Sequence, residues 1–97
     1  MSKSIIQDLQ DMISNAFEKE ESIGLDSLLW SIDSRHRVIL MADEINLVLE
    51  NFDNYEINRT EGNVFISPSK KTAQDKILNS DIDIAHESYI KVLTGAL

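Results

Sequence analysis

The spacing of hydrophobic residues predicts an amphipathic helix over residues 4–21. Apolar side chains recur three and four positions apart and so share one helical face; they are Ile5, Ile6, Leu9, Met12, Ile13, Ala16 and Phe17. Ser4 and Gln7 have the spacing of a capping box, in which each side chain bonds the other residue's backbone N–H. Gly24 is expected to end the helix because glycine readily adopts the left-handed conformation.

A second, shorter helix is predicted to begin at Asp26, whose carboxylate can accept hydrogen bonds from the free N–H groups of the first turn. Leu25 and Trp30 have the spacing of a hydrophobic staple around that start. The region that follows is ambiguous, since its apolar spacing fits one helix while Val38-Ile39-Leu40 also suits a short buried strand. We expect a helix from Asp43 in either case and leave residues 37–41 open.

Residues 54–68 have the pattern of a β-hairpin. Polar and apolar residues alternate from Tyr55 to Arg59, Glu61-Gly62 suits the turn, and Val64-Phe65-Ile66 suits the returning strand. The sequence therefore predicts two antiparallel strands here.

Two helices are predicted after the hairpin. Pro68 suits the first position of one of them, which would carry Ala73, Ile77 and Leu78. Ser80 and Asp83 suit the start of the last helix, and Gly95 suits its end. The apolar face of that last helix is Ile82, Ala85, Tyr89, Ile90 and Leu93.

This order of elements indicates one α+β domain spanning residues 1–97, with amphipathic helices packed on a short antiparallel sheet. A hydrophobic fraction of 42% suits a single core, which we expect to contain Phe17, Trp30, Phe52 and Phe65. The longest apolar run has five residues, far below the ~20 that span a membrane. Together with the absence of cysteine, this favours a cytoplasmic protein.

Catalytic and cofactor-binding motifs are missing from the sequence. His86 lies in no recognisable catalytic pattern, and neither does His36, which we expect to be neutral and near solvent between two arginines. The three glycines are too far apart for a phosphate-binding loop. We therefore expect a protein that is not an enzyme and uses no cofactor.

One group of residues near the C-terminus resembles a metal site. Asp83, His86 and Glu87 would share one helical turn, with Asp81 just before them. The Asp-x-Asp pattern lacks the glycine and the distal glutamate of a calcium-binding loop. We interpret the acids as helix-start residues that the helix dipole stabilises, and we expect no metal site.

The net charge of -8 arises entirely from the first 56 residues, which hold twelve carboxylates and four bases. The remaining residues hold five acids and five bases. A one-sided field of this kind repels phosphate and attracts basic surfaces.

The acids of the first 56 residues are expected to form rows on exposed helical faces. Either they are an ordinary solvated surface, or they imitate the phosphates of a nucleic acid and bind a basic nucleic-acid-binding protein or complex. The candidate partner-binding residues are Asp8, Asp11, Glu18, Glu21, Asp43, Glu50 and Asp53. In size and charge the chain resembles the small inhibitors of phages and mobile elements, such as anti-CRISPR and anti-restriction proteins. This resemblance carries no residue motif, and it implies an inhibitor that blocks a nucleic-acid site.

The alternative is a winged-helix-like DNA-binding regulator. Element order over residues 38–71 resembles part of that family, and the bases available are Arg59 near the hairpin tip, Lys70, Lys71 and Lys76. Only one helix fits between residue 42 and the hairpin, so a separate recognition helix is missing. The negative net charge also opposes phosphate binding.

Overall fold

A computed structural model describes the backbone of residues 3–94 and the side chains of residues 3–90. Its helices are α1 (Ile5–Glu18), α2 (Leu25–His36), α3 (Ala42–Leu49) and α4 (Asn79–Thr94), and its strands are β1 (Ile23–Gly24), β2 (Tyr55–Thr60) and β3 (Asn63–Pro68). The strands form an antiparallel sheet in the order β1-β3-β2. The predicted α+β class is confirmed. None of these helices is both long and apolar enough to cross a membrane.

The core lies between the helices and one face of the sheet. Val64 and Ile66 alternate along β3 on that face and are fully buried, and α2 and α4 pack directly against the strand. Helix α1 packs against α2 and α3. The largest fully buried side chains come from α1, α2, α3 and β3 and from the segments before α3 and α4. They include Leu9, Ile13, Leu25, Leu28, Ile32, Ile45, Ile66 and Ile77.

Helix α1 begins as predicted and ends earlier. The Gln7 N–H donates to Ser4 Oγ at 3.1 Å, but the Gln7 amide donates to Asp11, so only one half of the capping box forms. The end is a Schellman motif, in which Glu21 N–H donates to the Ala16 carbonyl and Glu20 N–H to that of Phe17. The predicted end at Gly24 is wrong, because Glu20 takes the left-handed position with φ 56°.

The predicted cluster of aromatic residues in the core forms only in part. Phe17 and Phe52 are partly buried and meet edge to face, with ring centroids 5.4 Å apart. Trp30 is 49% exposed, so neither its place in the core nor the staple with Leu25 is correct. Phe65 alternates with the buried residues of β3 and lies on the opposite face of the sheet.

The segment between α2 and α3 is neither helix nor strand. Arg37 adopts a left-handed conformation with φ 59° and ends α2, and Leu40 is fully buried. Helix α3 begins at Ala42, one residue before the predicted start. Glu44 Oε1 accepts the Met41 N–H at 3.2 Å and so satisfies one free donor at this helix end.

The hairpin is confirmed, and Gly62 occupies its turn with φ 97°. The short strand β1, which pairs Ile23 with Ile66, was not predicted. Pro68 ends β3 opposite Tyr55 and starts no helix. The predicted helix through Ala73 is wrong, since residues 69–78 contain none.

Specific hydrogen bonds fix the irregular segment of residues 69–78 against the rest of the molecule. The Asn46 side chain bonds the carbonyl and the N–H of Ile77 at 2.8 and 2.9 Å, and Ala73 N–H donates to the Asp53 carbonyl. Asp81, rather than the predicted Ser80 and Asp83, serves the start of α4, because its carboxylate accepts the Leu78 N–H at 2.8 Å. The predicted end at Gly95 and the side chain of Leu93 lie outside the described residues.

Candidate functional site

The predicted place of Asp8 on the exposed face of α1 is wrong. Its side chain lies between α1 and α2, and the residue is 4% exposed. Arg35 Nη1 donates to its Oδ1, and His36 Nε2 lies 3.0 Å from its Oδ2. Burial raises the pKa of the Asp8 carboxyl, but hydrogen bonds from Arg35 and His36 outweigh it and hold that pKa below the usual 3.8. His36 is therefore a half-buried partner of Asp8 rather than a residue near solvent. We remove Asp8 from the candidate surface.

Asp11 is more accessible but already has a basic partner. Its Oδ2 forms an ion pair with Lys3 Nζ, and its Oδ1 accepts a hydrogen bond from Gln7 at 2.9 Å. The hydrogen bond from Lys3 is the main reason that the pKa of the Asp11 carboxyl is lowered. Asp11 thus contributes little uncompensated charge to the surface.

The other five candidates remain exposed: Glu18, Glu21, Asp43, Glu50 and Asp53. None of them forms an ion pair with another described side chain. Glu18 and Asp53 lie beside the contact of α1 with α3, because Glu18 follows Phe17 and Asp53 follows its ring partner Phe52, whereas Asp43 lies in the first turn of α3. Asn51 Nδ2 also donates to Gln10 Oε1 at 3.0 Å across this contact.

Glu20 belongs to the same surface, although it was not among the predicted residues. It is exposed at the end of α1, and the run of acids around Lys19 is the signal that would have indicated it. We name Glu18, Glu20, Glu21, Asp43, Glu50 and Asp53 the acidic surface. The last turns of α1 and α3 carry no base, so the negative ends of their helix dipoles add to the negative potential near Glu18 and Glu50. Lys19, at the C-cap of α1, and Lys70, which shares a shallow depression with Glu20, border it.

The left-handed backbone of Glu20 predicts a stability effect. Replacing Glu20 with glycine is expected to raise the free energy of unfolding by up to about 1 kcal/mol, because a left-handed conformation costs a residue with a Cβ roughly 1–2 kcal/mol and glycine's larger unfolded-state entropy offsets part of the gain. Urea denaturation measures the change. Glu21→Gly is the matched control, and an equal gain there would contradict the explanation, since Glu21 does not have positive φ.

The guanidinium of the basic residue nearest the hairpin tip is bound by carboxylates of the same chain rather than free for a phosphate contact. Arg59 Nε and Nη2 donate to the two carboxylate oxygens of Asp81, each at 2.8 Å, and Nη1 donates to Asp75 at 2.6 Å. Asp81 is 1% exposed. Burial is the largest influence on the pKa of the Asp81 carboxyl and raises it, yet hydrogen bonds from Arg59 and the Leu78 N–H together keep that pKa below 3.8. Arg59 thus ties the hairpin to α4.

The residues that resemble a metal site in the sequence have separate surroundings in the structure. Asp81 is bound to Arg59, Asp83 is exposed, and the His86 ring contacts Tyr89 edge to face at 4.9 Å. Within the described part of the chain, no three potential ligand residues are grouped to hold a metal ion.

A surface depression of about 480 Å³ lies between the first half of β2 and the segment that follows β3. Its lining mixes acids, a lysine and hydroxyl groups and includes no histidine; the residues are Tyr55, Glu56, Ile57, Ser69, Lys71, Thr72, Gln74 and Asp75. It therefore lacks the usual base of a nucleophilic site.

Comparison with known proteins found no family model, no curated protein and no solved structure that matches this chain.

Proposed function

We propose that this protein is a non-enzymatic inhibitor that binds a basic, nucleic-acid-binding protein or complex through the acidic surface and blocks its nucleic-acid site. One observation carries the proposal: the exposed carboxylates of that surface have no described ionic partner, whereas three bases are paired with acids elsewhere in the molecule.

The distribution of ion pairs supports an outward-directed field. Arg35 compensates the buried Asp8, Arg59 compensates the buried Asp81, and Lys3 compensates Asp11. The carboxylates of the acidic surface keep their charge, because none of them has an ionic partner among the described side chains. Complementary charge of this kind accelerates association with a basic partner and selects against partners of like charge.

The same geometry disfavours the DNA-binding alternative. Its central base, Arg59, uses its donors on two carboxylates and on the Lys76 carbonyl, so binding phosphate would require breaking these bonds. Lys70 and Lys71 remain exposed, but Lys70 shares its depression with Glu20. A phosphate there would meet a carboxylate.

Charge reversal tests the proposal. We expect Glu18→Lys with Glu21→Lys, and separately Asp43→Lys with Glu50→Lys and Asp53→Lys, to abolish binding of proteins captured from a lysate at low salt. Wild-type capture should weaken as salt shortens the screening length from ~10 Å at 0.1 M to ~3 Å at 1 M. Urea denaturation should show stability within about 0.5 kcal/mol of wild type, because exposed charges contribute little to folding.

The matched control is Lys70→Glu with Lys71→Glu, which adds acid beside the same surface and should leave capture intact or strengthen it. The captured proteins should also release bound nucleic acid when the wild-type protein is added. If both acidic reversals bound as wild type while the lysine pair lost binding to a generic DNA duplex in a gel shift, the DNA-binding alternative would replace the proposal.

A further inference from the structure

Strand β2 forms one edge of the sheet. The strand order is β1-β3-β2, so β2 pairs with β3 alone in this sheet. The pairing runs without a bulge from Thr60 opposite Asn63 to Tyr55 opposite Pro68. Strand β2 contains no proline, so its backbone retains every donor that a further strand would need.

The register determines which backbone groups of β2 face outward. The turn has two residues, so Thr60 and Asn63 are a hydrogen-bonded pair. Hydrogen-bonded and non-hydrogen-bonded pairs alternate along an antiparallel ladder, and the N–H and C=O groups of Tyr55, Ile57 and Arg59 therefore point away from β3. Among the described residues, no hydrogen bond involves these outward groups.

The segment that follows β3 does not close this edge. The Ala73 N–H donates to the Asp53 carbonyl, which lies before β2 begins. Within β2, only side chains reach the segment: the Tyr55 hydroxyl donates to the Asp75 carbonyl at 3.3 Å, and Arg59 Nη1 donates to the Asp75 carboxylate at 2.6 Å. The depression of about 480 Å³ lies between the first half of β2 and this segment, so the backbone edge is open there.

We infer that the open edge of β2 binds one extended peptide segment of a partner protein, which adds a further strand to the sheet. Its main chain would bond the outward groups of Tyr55 and Ile57, and every second side chain would point into the depression. This mode of binding is β-strand addition. No residue of the acidic surface lies in β2, so the inference stands apart from the proposed function.

The side chains at the edge specify the chemistry of that segment. Tyr55 and Ile57 pack against the core and line the depression, so apolar β-branched residues suit the positions that face it. Glu56 points to the other face of the sheet, where it is exposed and forms no described ion pair. Lysine or arginine suits the alternate positions beside Glu56, whereas Lys71 in the lining disfavours a base in the depression itself.

A second copy of the chain fits this edge less well than a peptide. Pairing of β2 with its own copy about a two-fold axis would bring residues 69–78 of both copies to the same edge, and one such segment already borders it. The net charge of -8 on each copy adds repulsion. A single basic strand has neither cost.

The test uses the wild-type protein and a fluorescently labelled synthetic peptide of about eight residues, in which valine and lysine alternate. Two further peptides carry N-methyl groups on all valines or on all lysines, so that each lacks the N–H donors of one strand edge. We expect fluorescence anisotropy to show binding of the unmethylated peptide. One methylated peptide should bind similarly and the other at least about tenfold more weakly, because only one edge of the bound strand faces β2.

Hydrogen exchange of backbone amides, followed by NMR, locates the bound peptide. In the free protein the amides of Tyr55 and Ile57 should exchange faster than those of Glu56 and Asn58, which bond to β3. The unmethylated peptide should slow the exchange at Tyr55 and Ile57 at least about tenfold. Peptide binding that leaves the exchange at these two amides unchanged would overturn the inference.

Ile57→Pro removes one outward donor and no bond to β3, and it should weaken binding of the unmethylated peptide about tenfold. Ile57→Val keeps the donor, is the matched control, and should bind as wild type. Urea denaturation shows whether Ile57→Pro folds, and if it does not, the methylated peptides and the wild-type protein decide. Three results would each overturn the inference: no binding of the unmethylated peptide, equal binding of the two methylated peptides, or wild-type binding by folded Ile57→Pro.

Discussion

Arg59→Met is expected to lower the free energy of unfolding by about 3–5 kcal/mol, the cost typical of leaving a buried charge without its partner. The variant removes both guanidinium hydrogen bonds to Asp81, whose side chain is almost completely buried, and retains most of the aliphatic volume. Urea denaturation at neutral pH measures the loss. A cost below about 1 kcal/mol would mean that the pair behaves like an exposed one.

The pH dependence distinguishes a buried charge from lost packing. In the wild-type protein the pKa of Asp81 is below 3.8, so its stabilising contribution is present above that pH and is lost as the pH falls below it. In Arg59→Met the same burial without the guanidinium should raise that pKa. Acid would then protonate Asp81 in the folded variant, and the difference in stability from wild type should narrow. The double variant Arg59→Met, Asp81→Leu should recover much of the loss, because no buried charge remains.

Asp8→Lys is expected to unfold the protein or to lower its stability by about 3–5 kcal/mol, because a buried lysine would replace the carboxylate that Arg35 and His36 contact. Glu18→Lys, on the exposed end of the same helix, should change stability by less than about 0.5 kcal/mol. Thermal and urea denaturation of the two variants measures the contrast. Equal stability of both would contradict the burial of Asp8.

This contrast also affects how binding variants are designed. Because the pKa of Asp8 is lowered, its contribution to stability is present above 3.8 and is lost in acid. A triple reversal of Asp8, Asp11 and Glu18 would lose binding through unfolding, because it places a buried lysine beside Arg35 and His36. Reversals restricted to the acidic surface avoid this ambiguity.

Signals between residues close together in the sequence were sufficient to predict several structural features. Ser4 bonds Gln7 as its spacing predicts, and Glu61-Gly62 forms the hairpin turn. These features depend on residues two to four positions apart. In contrast, β1 exists because Ile23 pairs with Ile66, and no periodicity within a two-residue strand indicates such a partner.

The candidate site was predictable to the same extent. Exposure of Glu18, Asp43 and Glu50 follows from their position opposite an apolar stripe. The burial of Asp8 does not, because it depends on Arg35 and His36, 27 and 28 residues further along the chain. A carboxylate at the border between the apolar and polar faces of a helix can be buried when the neighbouring helix supplies basic hydrogen-bond partners, and these partners cannot be identified from the spacing within one helix.

The pairing of β1 with β3 has a consequence for the synthesis of the chain. Ile23 obtains its strand partner only when Ile66 has been synthesised. Helix α2 packs against β3 and α4, and both of these elements follow the first 56 residues. A nascent chain that ends near residue 56 would leave the apolar face of α2 without its later neighbours. An N-terminal fragment is therefore not expected to hold the acidic surface in its native geometry. During synthesis, that geometry should form only after the hairpin has been translated.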